Sequence, residues 1–339
     1  MHNKNILDKL LNFQNLSVKE TEFLMSEILN GQISDIKLSS FLTALRMKGE
    51  TSNEIFAFAS TMIEHAEKIS VHDDNAIDIV GTGGDCKNTI NISTASAIVA
   101  ASTGLTVAKH GNKSVSSKSG SADVLTSLGI KINISPSKME SCLNSVGLAF
   151  LFAPLLHPAM KYAVPVRKEL GVRTIFNILG PICNPAKVKQ AVIGVYEPRL
   201  CRLIAEAAQK LGYKHVIVAH GNDGLDEIST TATTKICELI DNQINEYEFN
   251  PVNYGISKVS ISDLEGKDPV YNAGIIRDIF DNKLNGPMKD IIILNSAAAL
   301  IVGNKAGSWE TALSMAEKTI NTGKALNKLN ELVVFTNSI

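Results

Sequence analysis

Up to residue 72, the apolar positions recur at the spacing of an amphipathic helix, and no strand-like run interrupts them. Ser17 and Glu20 form the pattern of a capping box at the start of one such run, and Thr51 and Glu54 repeat that pattern at the start of another. Leucines at helical spacing fill the stretch between these two runs. The pattern therefore predicts a small all-helical domain over residues 1–72.

From residue 76 onward, short β-branched runs alternate with longer amphipathic stretches, which is typical of βαβ units and a largely parallel sheet. The predicted strands are residues 76–80, 105–108, 130–134, 147–152, 189–196 and 215–219. The predicted helices are residues 94–102, 121–128, 136–146 and 198–211, with further helices over 288–335. Residues 235–249 are predicted to form a two-stranded insertion.

These elements predict an α/β fold built from two domains, in agreement with a soft prior of about 150 residues per domain. The first is the helical domain over residues 1–72, joined by part of 155–188. The second covers residues 73–339, and we expect a mainly parallel central sheet flanked by helices. Residues 155–185 are dense in proline and glycine, and we expect them to cross between the domains.

The charge balance narrows the possible partners. The chain of 339 residues has 33 Lys+Arg and 34 Asp+Glu, which gives a formal net charge of −1. This balance argues against a protein that holds nucleic acid mainly through its phosphates. With 45% hydrophobic residues, the chain has ample material for a folded core.

Segments that would indicate a membrane or secreted protein are also lacking in the sequence. The apolar stretches 148–156 and 291–302 are shorter than the ~20 residues of a membrane span, and the second contains Asn295 and Ser296. The N-terminal residues lack the basic region and long apolar run of a secretory signal. Five scattered cysteines without a Cys-x-x-Cys pattern favour a reducing compartment. We therefore expect a cytoplasmic protein with neither membrane nor nucleic acid as a partner.

A glycine-rich segment, Gly81-Thr82-Gly83-Gly84-Asp85, directly follows the first predicted strand. Ligands of open α/β sheets bind beyond the carboxyl ends of strands, and glycines let main-chain N–H groups approach an anion there. The segment fits neither a dinucleotide fingerprint, because Cys86 stands where glycine is needed, nor a Walker motif. A tight turn between strand and helix is the alternative interpretation.

A second polar segment follows the strand predicted at 105–108. It reads Lys109-His110-Gly111-Asn112-Lys113-Ser114, and serines, Lys118 and a glycine continue it. No acidic residue occurs between residues 86 and 122. Hydroxyls, amides and lysines of this kind suit phosphate oxygens, whereas a solvated polar loop is the alternative. The role of His110 stays open, and small-residue packing is the favoured interpretation of Cys86.

Two charged groups complete the candidate chemistry. Asp226 and Glu227 lie behind the strand predicted at 215–219, and Mg²⁺ is commonly bound by one or two carboxylates together with substrate phosphates. An adjacent acidic pair on a solvated surface is the alternative. Arg167 and Arg173 flank a turn and are able to fork onto a carboxylate, unless they simply lie on an exposed helix face.

Taken together, these segments resemble the anthranilate phosphoribosyltransferases over essentially the whole chain. The motifs that carry the resemblance are Asp78-Ile79-Val80-Gly81-Thr82-Gly83-Gly84-Asp85, Asn91-Ile92-Ser93-Thr94, Lys109-His110-Gly111-Asn112, Gly120-Ser121-Ala122-Asp123-Val124-Leu125, His157-Pro158-Ala159-Met160, Arg173-Thr174-Ile175-Phe176-Asn177-Ile178-Leu179-Gly180-Pro181, Asn184-Pro185-Ala186 and His220-Gly221 followed by Gly224-Leu225-Asp226-Glu227. Lys113 is one departure, since arginine is expected there in many members, and lysine loses the bidentate fork.

The resemblance implies the second step of tryptophan biosynthesis: transfer of the phosphoribosyl group of phosphoribosyl pyrophosphate (PRPP) to the amine of anthranilate, with release of pyrophosphate. It implies a homodimer formed through the helical part and two Mg²⁺ ions. The implied PRPP contacts are Gly81, Gly84, Asp85, Thr89, Asn91, Ile92, Ser93, Thr94, Lys109, His110, Gly111, Asn112, Lys113, Ser114, Val115, Ser116, Ser117 and Ser121. The implied Mg²⁺ contacts are Ser93, Asp226 and Glu227. The implied anthranilate contacts are Gly81, Asn112 and Arg167.

The chemistry of this reaction agrees with the residues. Displacing pyrophosphate from C1 of the ribose builds positive charge on the sugar and negative charge on the leaving group, so cations and loop amides are the expected catalysts. We expect Lys109 and Arg167 to act electrostatically, and no residue is identified as a certain general base. An aromatic amine is already neutral at pH 7, so a strong base is not required.

Two other functions fit parts of the sequence. A pyrimidine nucleoside phosphorylase shares the general architecture, but it would need a phosphate-only loop in place of residues 81–85 and 91–94. A non-enzymatic relative that binds nucleic acid would show basic stripes and eroded motifs, whereas the motifs here are intact.

Overall fold

A computed structural model describes residues 3–113 and 119–338 of the chain. Four helices form its N-terminal part: α1 (Asn3–Leu11), α2 (Val18–Leu29), α3 (Asp35–Lys48) and α4 (Ser52–Glu64). Both predicted capping boxes are confirmed. The Ser17 hydroxyl accepts from the N–H of Glu20, whose carboxylate accepts from the N–H of Ser17, and Thr51 and Glu54 make the same exchange.

A seven-stranded sheet forms the centre of the larger part. Its strands are β1 (Ile77–Gly81), β2 (Val107–Gly111), β3 (Leu148–Phe152), β4 (Gln190–Gly194), β5 (His215–Gly221), β6 (Thr234–Ile240) and β7 (Gln243–Phe249). The spatial order is β3-β2-β1-β4-β5-β6-β7. The first five strands pair in parallel, and β6 and β7 add an antiparallel hairpin, which confirms the predicted two-stranded insertion.

The strand order reverses direction at β1, which has β2 on one side and β4 on the other. In open α/β sheets, ligands bind outside the carboxyl ends of strands at such a reversal. Gly81 at the end of β1 pairs in register with Gly194 at the end of β4. The topology therefore places the candidate site beyond these two strand ends.

The remaining helices surround the sheet or belong to residues 155–185, which we call the crossing region. They are α5 (Ile92–Ala101), α6 (Ser121–Ser127), α7 (Pro136–Val146), α8 (Ala153–Leu156), α9 (Val164–Leu170), α10 (Ile175–Leu179), α11 (Arg199–Lys210), α12 (Pro269–Phe280), α13 (Pro287–Val302), α14 (Trp309–Asn321) and α15 (Lys324–Asn337). Short 3₁₀ turns cover Pro158–Tyr162, Gly180–Ile182, Pro251–Tyr254 and Ile261–Leu264.

The core lies between the sheet and two buried helices. α5 packs against β1 and β2, α13 packs against β4 and β5, and the two helices pack against each other. Most residues of α13 are buried, yet within the described ranges no helix has the length and apolar character needed to cross a bilayer. The apolar run 291–302 is thus explained by a place in the protein core.

The strand predicted over residues 130–134 is wrong. Ile130, Ile132 and Ile134 do alternate inward, with 2%, 9% and 6% of their surface exposed, but the segment joins no strand. Instead, the N–H of Ile130 donates to Leu125 in α6, and that of Lys131 donates to the hydroxyl of Thr336 in α15. Alternating burial requires only a packed surface on one side, so an extended segment between helices produces the same sequence pattern as a strand.

The crossing region contacts both parts of the molecule. α9 packs against α3 and α10 packs against α4, while α11 of the α/β part also packs against α4. Arg199, at the start of α11, pairs with the buried carboxylate of Glu50 at 3.2 Å. Residues predicted to lead from one domain to the other therefore form part of the surface on which the helices of the N-terminal part pack.

Candidate active site

One cavity of about 670 Å³ collects the predicted site residues. It is lined by every residue of the predicted site that lies in the described ranges: Gly81, Gly84, Asp85, Thr89, Asn91, Ile92, Ser93, Thr94, Lys109, His110, Gly111, Asn112, Lys113, Ser121, Arg167, Asp226 and Glu227. Ser114, Val115, Ser116 and Ser117 lie outside the described residues. Its polar lining comes from residues of the segments 81–94 and 109–113 and from Asp226 and Glu227, and we call this part the polar end. Its largely apolar lining, which we call the apolar end, consists of Met62, Ala153, Pro154, Pro158, Met160, Val164, Pro165 and Phe176, together with His157, Lys161 and Arg167.

Two glycines let the acidic pair lie directly over the strand ends. A Cβ atom at Gly81 would lie 2.5 Å from Oδ2 of Asp226, and one at Gly194 would overlap the main-chain oxygen of the same residue. The N–H of Gly83 donates to Asp226 Oδ2 at 2.6 Å. The glycine loop (residues 81–85) and the acidic loop (residues 222–228), distant in sequence, are therefore in direct contact. Neither Gly81 nor Gly194 can be replaced by a larger residue without displacing the acidic loop.

The polar end concentrates three acidic groups. Burial raises the pKa of Asp226 well above its usual value, and neighbouring Asp85 and Glu227 raise it further. Burial also raises the pKa of Glu227 to about 7, against the opposing effects of Lys109 and of the N–H of Ser93, which donates to Glu227 Oε1 at 3.2 Å. Within residues 3–113 and 119–338, neither Asp226 nor Glu227 has a basic side chain within 4.0 Å. Such a cluster favours the binding of an additional cation.

Lys109 supplies a buried positive charge beside these acids. Its Nζ donates to the main-chain oxygen of Ile79 at 2.5 Å and to the hydroxyl of Ser93 at 3.4 Å. Burial lowers the pKa of Lys109, while Asp78 and Glu227 act in the opposite direction. Asp78 is itself buried, and burial raises its pKa to about 6. The amide of Asn184 donates to Asp78 at 2.8 Å.

The donor set of the polar end fits Mg²⁺ held jointly with a phosphorylated substrate. Among the described residues, no three His, Cys, Asp or Glu side chains are arranged to hold a metal ion by themselves. Mg²⁺ usually keeps several waters and takes one or two protein carboxylates plus substrate phosphates. Asp226 and Glu227, half-buried and adjacent in the chain, match that requirement.

Hydrogen bonds join the loops of the polar end to one another. The Asn91 amide donates to the main-chain oxygen of Ser119 at 3.1 Å and accepts from Asn272 at 3.0 Å. The main-chain oxygen of Asn112 accepts from the hydroxyl of Ser121 at 3.1 Å. In contrast, the side chain of Ile92 is buried in the core, so only its main chain is available to a ligand.

The apolar end was not predicted as a unit. Arg167 enters it with its guanidinium 5.3 Å from the ring centroid of Phe176, and Met62, Met160 and Val164 line the same space. Burial lowers the pKa of Arg167, which still carries its positive charge because the guanidinium is so strongly basic. Arg167, with Lys161 as a second cation of the same lining, lies among largely apolar walls, which suits a small aromatic carboxylate.

Two neutral histidines, His110 of the polar end and His157 of the apolar end, lie next to each other in the cavity. The rings of His110 and His157 are 5.2 Å apart, and burial lowers their pKa to about 4 and about 3, respectively. Nδ1 of His110 faces the main-chain oxygen of Gly180 at 3.1 Å, so this nitrogen carries the proton and Nε2 has a free lone pair. His157 appeared in the sequence only as part of a motif, and its role was not predicted.

Arg173 does not enter the cavity with Arg167. It donates to the main-chain oxygen of Gly84 and stacks on Tyr196, with its guanidinium 4.1 Å from the ring centroid. Of the two arginines that the sequence offered for a carboxylate, only Arg167 lines the cavity. A main-chain acceptor on a distant loop leaves no trace in the sequence, so the spacing of the two arginines could not distinguish their roles.

A further cavity residue comes from a segment that no motif marks. The main-chain N–H of Gly266 donates to the oxygen of Asn88 at 2.8 Å, and Ile90 donates to Leu264 at 3.1 Å. These bonds bring Lys267 to the lining of the cavity. A glycine flanked by charged residues was the available signal, but many surface turns share it.

Comparison with known proteins agrees with this architecture. Residues 4–66 match the helical bundle domain of the glycosyl transferase family, and residues 73–326 match its a/b domain. An anthranilate phosphoribosyltransferase from Acetivibrio thermocellus is 50% identical over 335 residues, which cover 99% of this chain and 97% of that protein.

Solved structures show the same relationship. The anthranilate phosphoribosyltransferase of Thermus thermophilus superposes with a TM-score of 0.93 at 35% identity, covering 98% of this chain and 99% of that one. The Saccharomyces cerevisiae enzyme in complex with PRPP and Mg gives 0.91 at 29% identity, covering 99% and 98%, and its complex with 4-fluoroanthranilate gives 0.89 at 28%, again covering 99% and 98%. The chain therefore belongs to the anthranilate phosphoribosyltransferase family of glycosyl transferases.

Proposed function

We propose that this chain transfers the 5-phosphoribosyl group of PRPP to the amine of anthranilate and releases pyrophosphate. The observation that carries the proposal is the cavity with two chemically different ends. One end offers amides, hydroxyls, a buried lysine and two carboxylates, and the other offers Arg167 and Lys161 among largely apolar walls. Phosphates and an aromatic acid are the ligands that such a pair of ends distinguishes.

PRPP occupies the polar end in this proposal. The glycine loop, with Gly81, Gly84 and Asp85, supplies main-chain N–H groups. The start of α5 supplies hydroxyls and the positive end of its dipole. The remaining contacts are Thr89, Asn91, Ile92, Ser93, Thr94, Lys109, His110, Gly111, Asn112, Lys113 and Ser121, together with Ser114, Val115, Ser116 and Ser117 outside the described residues. Lys109 stabilises the negative charge that develops on pyrophosphate as the bond to C1 breaks.

Asp226, Glu227 and Ser93 hold magnesium in this proposal, with two ions per site. The yeast relative whose structure contains PRPP and Mg supports magnesium use. When bound with PRPP, the cation neutralises charge on the departing pyrophosphate. The chain's contribution is to place Lys109 where it favours the ionised form of Glu227 and to hold the acidic loop against Gly83.

Anthranilate binds at the apolar end. Arg167 pairs with its carboxylate, and Gly81 and Asn112 contact it from the polar end, so that the amine faces C1 of the ribose. Holding the two reactants in line makes the reaction effectively unimolecular. The amine needs no strong base, and His110 and His157 remain neutral above about pH 5 because burial holds their pKa at about 4 and about 3.

We further propose a cytoplasmic homodimer formed through the helical domain, residues 1–72 with part of 155–188, attached to a phosphoribosyl-binding domain over 73–339. Large apolar side chains exposed on the helical part support this assembly: Leu11, Phe13, Ile36 and Met47 are 60%, 64%, 82% and 70% exposed. Apolar surface of this kind favours a protein partner.

Loss of anthranilate fluorescence tests the proposed reaction. We expect purified protein to deplete anthranilate only when both PRPP and Mg²⁺ are present, and to release pyrophosphate in equal amount. Folded protein without turnover under these conditions would refute the proposal. Phosphorolysis of thymidine or uridine without added metal would instead favour the nucleoside phosphorylase alternative.

A further inference from the structure

Asn295 is a buried amide in the otherwise apolar helix α13, and its side chain has no exposed surface. Its Oδ1 accepts from the main-chain N–H of Ile228 at 3.0 Å, and its Nδ2 donates to the main-chain oxygen of the same residue at 2.9 Å. Nδ2 also donates to Ile291 in its own helix at 2.9 Å. The oxygen and both N–H groups of the amide are thus in use.

The partner of this amide directly follows the acidic pair. Ile228 is buried and comes one residue after Glu227. Asn295 bonds both polar main-chain groups of Ile228, as a neighbouring strand would, although no strand lies there. A rigid core helix therefore fixes the main chain at the point where the acidic loop leaves the site.

The loop is fixed on its other side by its own turn. The N–H of Gly221 donates to Leu225 at 2.9 Å, and the N–H of Leu225 donates to Asp223 at 3.1 Å. Asp226 and Glu227 lie between this turn and Ile228. Both ends of the pair are consequently anchored, one by the loop itself and the other by α13.

Anchoring matters here because the pair is under electrostatic repulsion. Asp85, Asp226 and Glu227 line the same end of the cavity, and all three are half-buried. Like charges in such a site push the loop outward unless the main chain is held. A neutral amide holds it without adding charge to the cation site, whereas an apolar side chain at position 295 would leave both main-chain groups of Ile228 without their partners.

We propose that Asn295 is a positioning residue that keeps Asp226 and Glu227 in the geometry that binds the divalent cation and the pyrophosphate group of PRPP. The inference rests on the proposed function, because it assigns a support to that metal site. Residues that orient metal ligands typically change metal affinity by about 10- to 100-fold when they are replaced.

The test compares Asn295→Ala with Ser296→Ala. Ser296 is the adjacent buried residue, and its hydroxyl donates to Ile292 within the same helix at 2.6 Å, so it controls for loss of a buried polar group in α13. Mn²⁺ binding in the presence of PRPP is measured by electron paramagnetic resonance. We expect Asn295→Ala to weaken Mn²⁺ binding by about 10- to 100-fold and Ser296→Ala by less than about twofold.

Hydrogen exchange supplies a readout that needs no metal. We expect the amide of Ile228 to exchange at least about tenfold faster in Asn295→Ala and to be unchanged in Ser296→Ala. If Asn295→Ala does not fold, Asn295→Thr is used, since threonine has nearly the volume of asparagine but cannot bond both main-chain groups of Ile228.

Two results decide the matter. A folded Asn295 variant that binds Mn²⁺ within about twofold of the wild type would overturn the positioning role and leave the proposed function intact. Wild-type protein that binds no Mn²⁺ in the presence of PRPP would overturn the proposed function, and this inference with it.

Discussion

The two ends of the cavity differ in origin as well as in chemistry. The polar end is built at the carboxyl ends of parallel strands, where Gly81 ends β1, Lys109 lies within β2 and Asp226 follows β5. The apolar end draws on Met62 from the helical part and on short helices of the crossing region. We infer that binding of the phosphorylated substrate depends on the sheet. Selection of the acceptor substrate depends instead on how the helical part packs against the crossing region.

Removing the acidic pair should produce the largest effect, confined to the polar end. We expect Asp226→Asn plus Glu227→Gln to lower kcat/KM at least about 1,000-fold, because bound metal contributes several kcal/mol of charge stabilisation. Glu64→Gln plus Glu317→Gln removes the same charge from exposed helix positions and should change activity less than about twofold. A folded acidic-pair variant with near-normal turnover would contradict the assignment.

At the apolar end, replacing Arg167 should weaken the binding of anthranilate and leave that of PRPP unchanged. We expect Arg167→Met to raise KM for anthranilate by roughly 10- to 100-fold, since a hydrogen bond to a charged group contributes about 1.5–3 kcal/mol. The matched control is Lys168→Met, the adjacent exposed cation, which should leave both KM values unchanged. Steady-state kinetics with each substrate varied separately makes the measurement, and an equal rise in both KM values would show that the ends are not independent.

The raised pKa of Glu227 predicts that cation binding at the polar end depends on pH. Because its pKa is raised to about 7, the carboxyl is about half protonated at pH 7, and a bound cation must displace that proton. We expect Mn²⁺ binding with PRPP to release at least about half a proton per site at pH 7 and less at pH 9, where Glu227 is already ionised. Calorimetry in buffers of different ionisation enthalpy measures the release.

In the same experiment, Glu227→Gln removes the titrating group, so the release that it contributes should disappear. The expected direction is fixed: affinity for the cation falls as the pH drops below about 7, because protonation of Glu227 competes with the metal. A release at pH 7 that is unchanged in Glu227→Gln would show that another group supplies the proton.

The smallest expected effect concerns Lys113, where the family resemblance leads us to expect arginine. Arginine offers two parallel N–H groups to a phosphate, while lysine acts as a point charge. Since Lys113 is exposed, we expect Lys113→Arg to lower KM for PRPP by only about two- to fivefold. Lys131→Arg, a conservative change at another exposed site, is the control, and no change in the first variant would show that Lys113 does not contact phosphate.

The same contrast explains how much of the molecule could be predicted from its sequence. Glycine, lysine and acidic residues at the ends of predicted strands identified the polar end, because parallel strand ends meet at one edge of a sheet. The capping boxes likewise predicted α2 and α4, since the residues that make them are close in the chain.

What the sequence could not predict depends on contacts between distant segments. Arg173 bonds to the main chain of Gly84, and Asn295 bonds to the main chain of Ile228, so neither contact leaves a pattern in residue types. The false strand at 130–134 has the same origin, because periodicity reports burial and not the presence of a partner strand. The apolar end combines Met62 with the crossing region, and no local motif joins them.

The independence of the two ends is tested most directly by the affinity of the Arg167→Met variant for Mg²⁺–PRPP, measured by isothermal titration calorimetry without anthranilate. Since Arg167 lies at the apolar end, the affinity is predicted to stay within about twofold of the wild type, even though KM for anthranilate rises. A loss of tenfold or more would contradict the account, because it would show that the charge of Arg167 also holds the phosphorylated substrate.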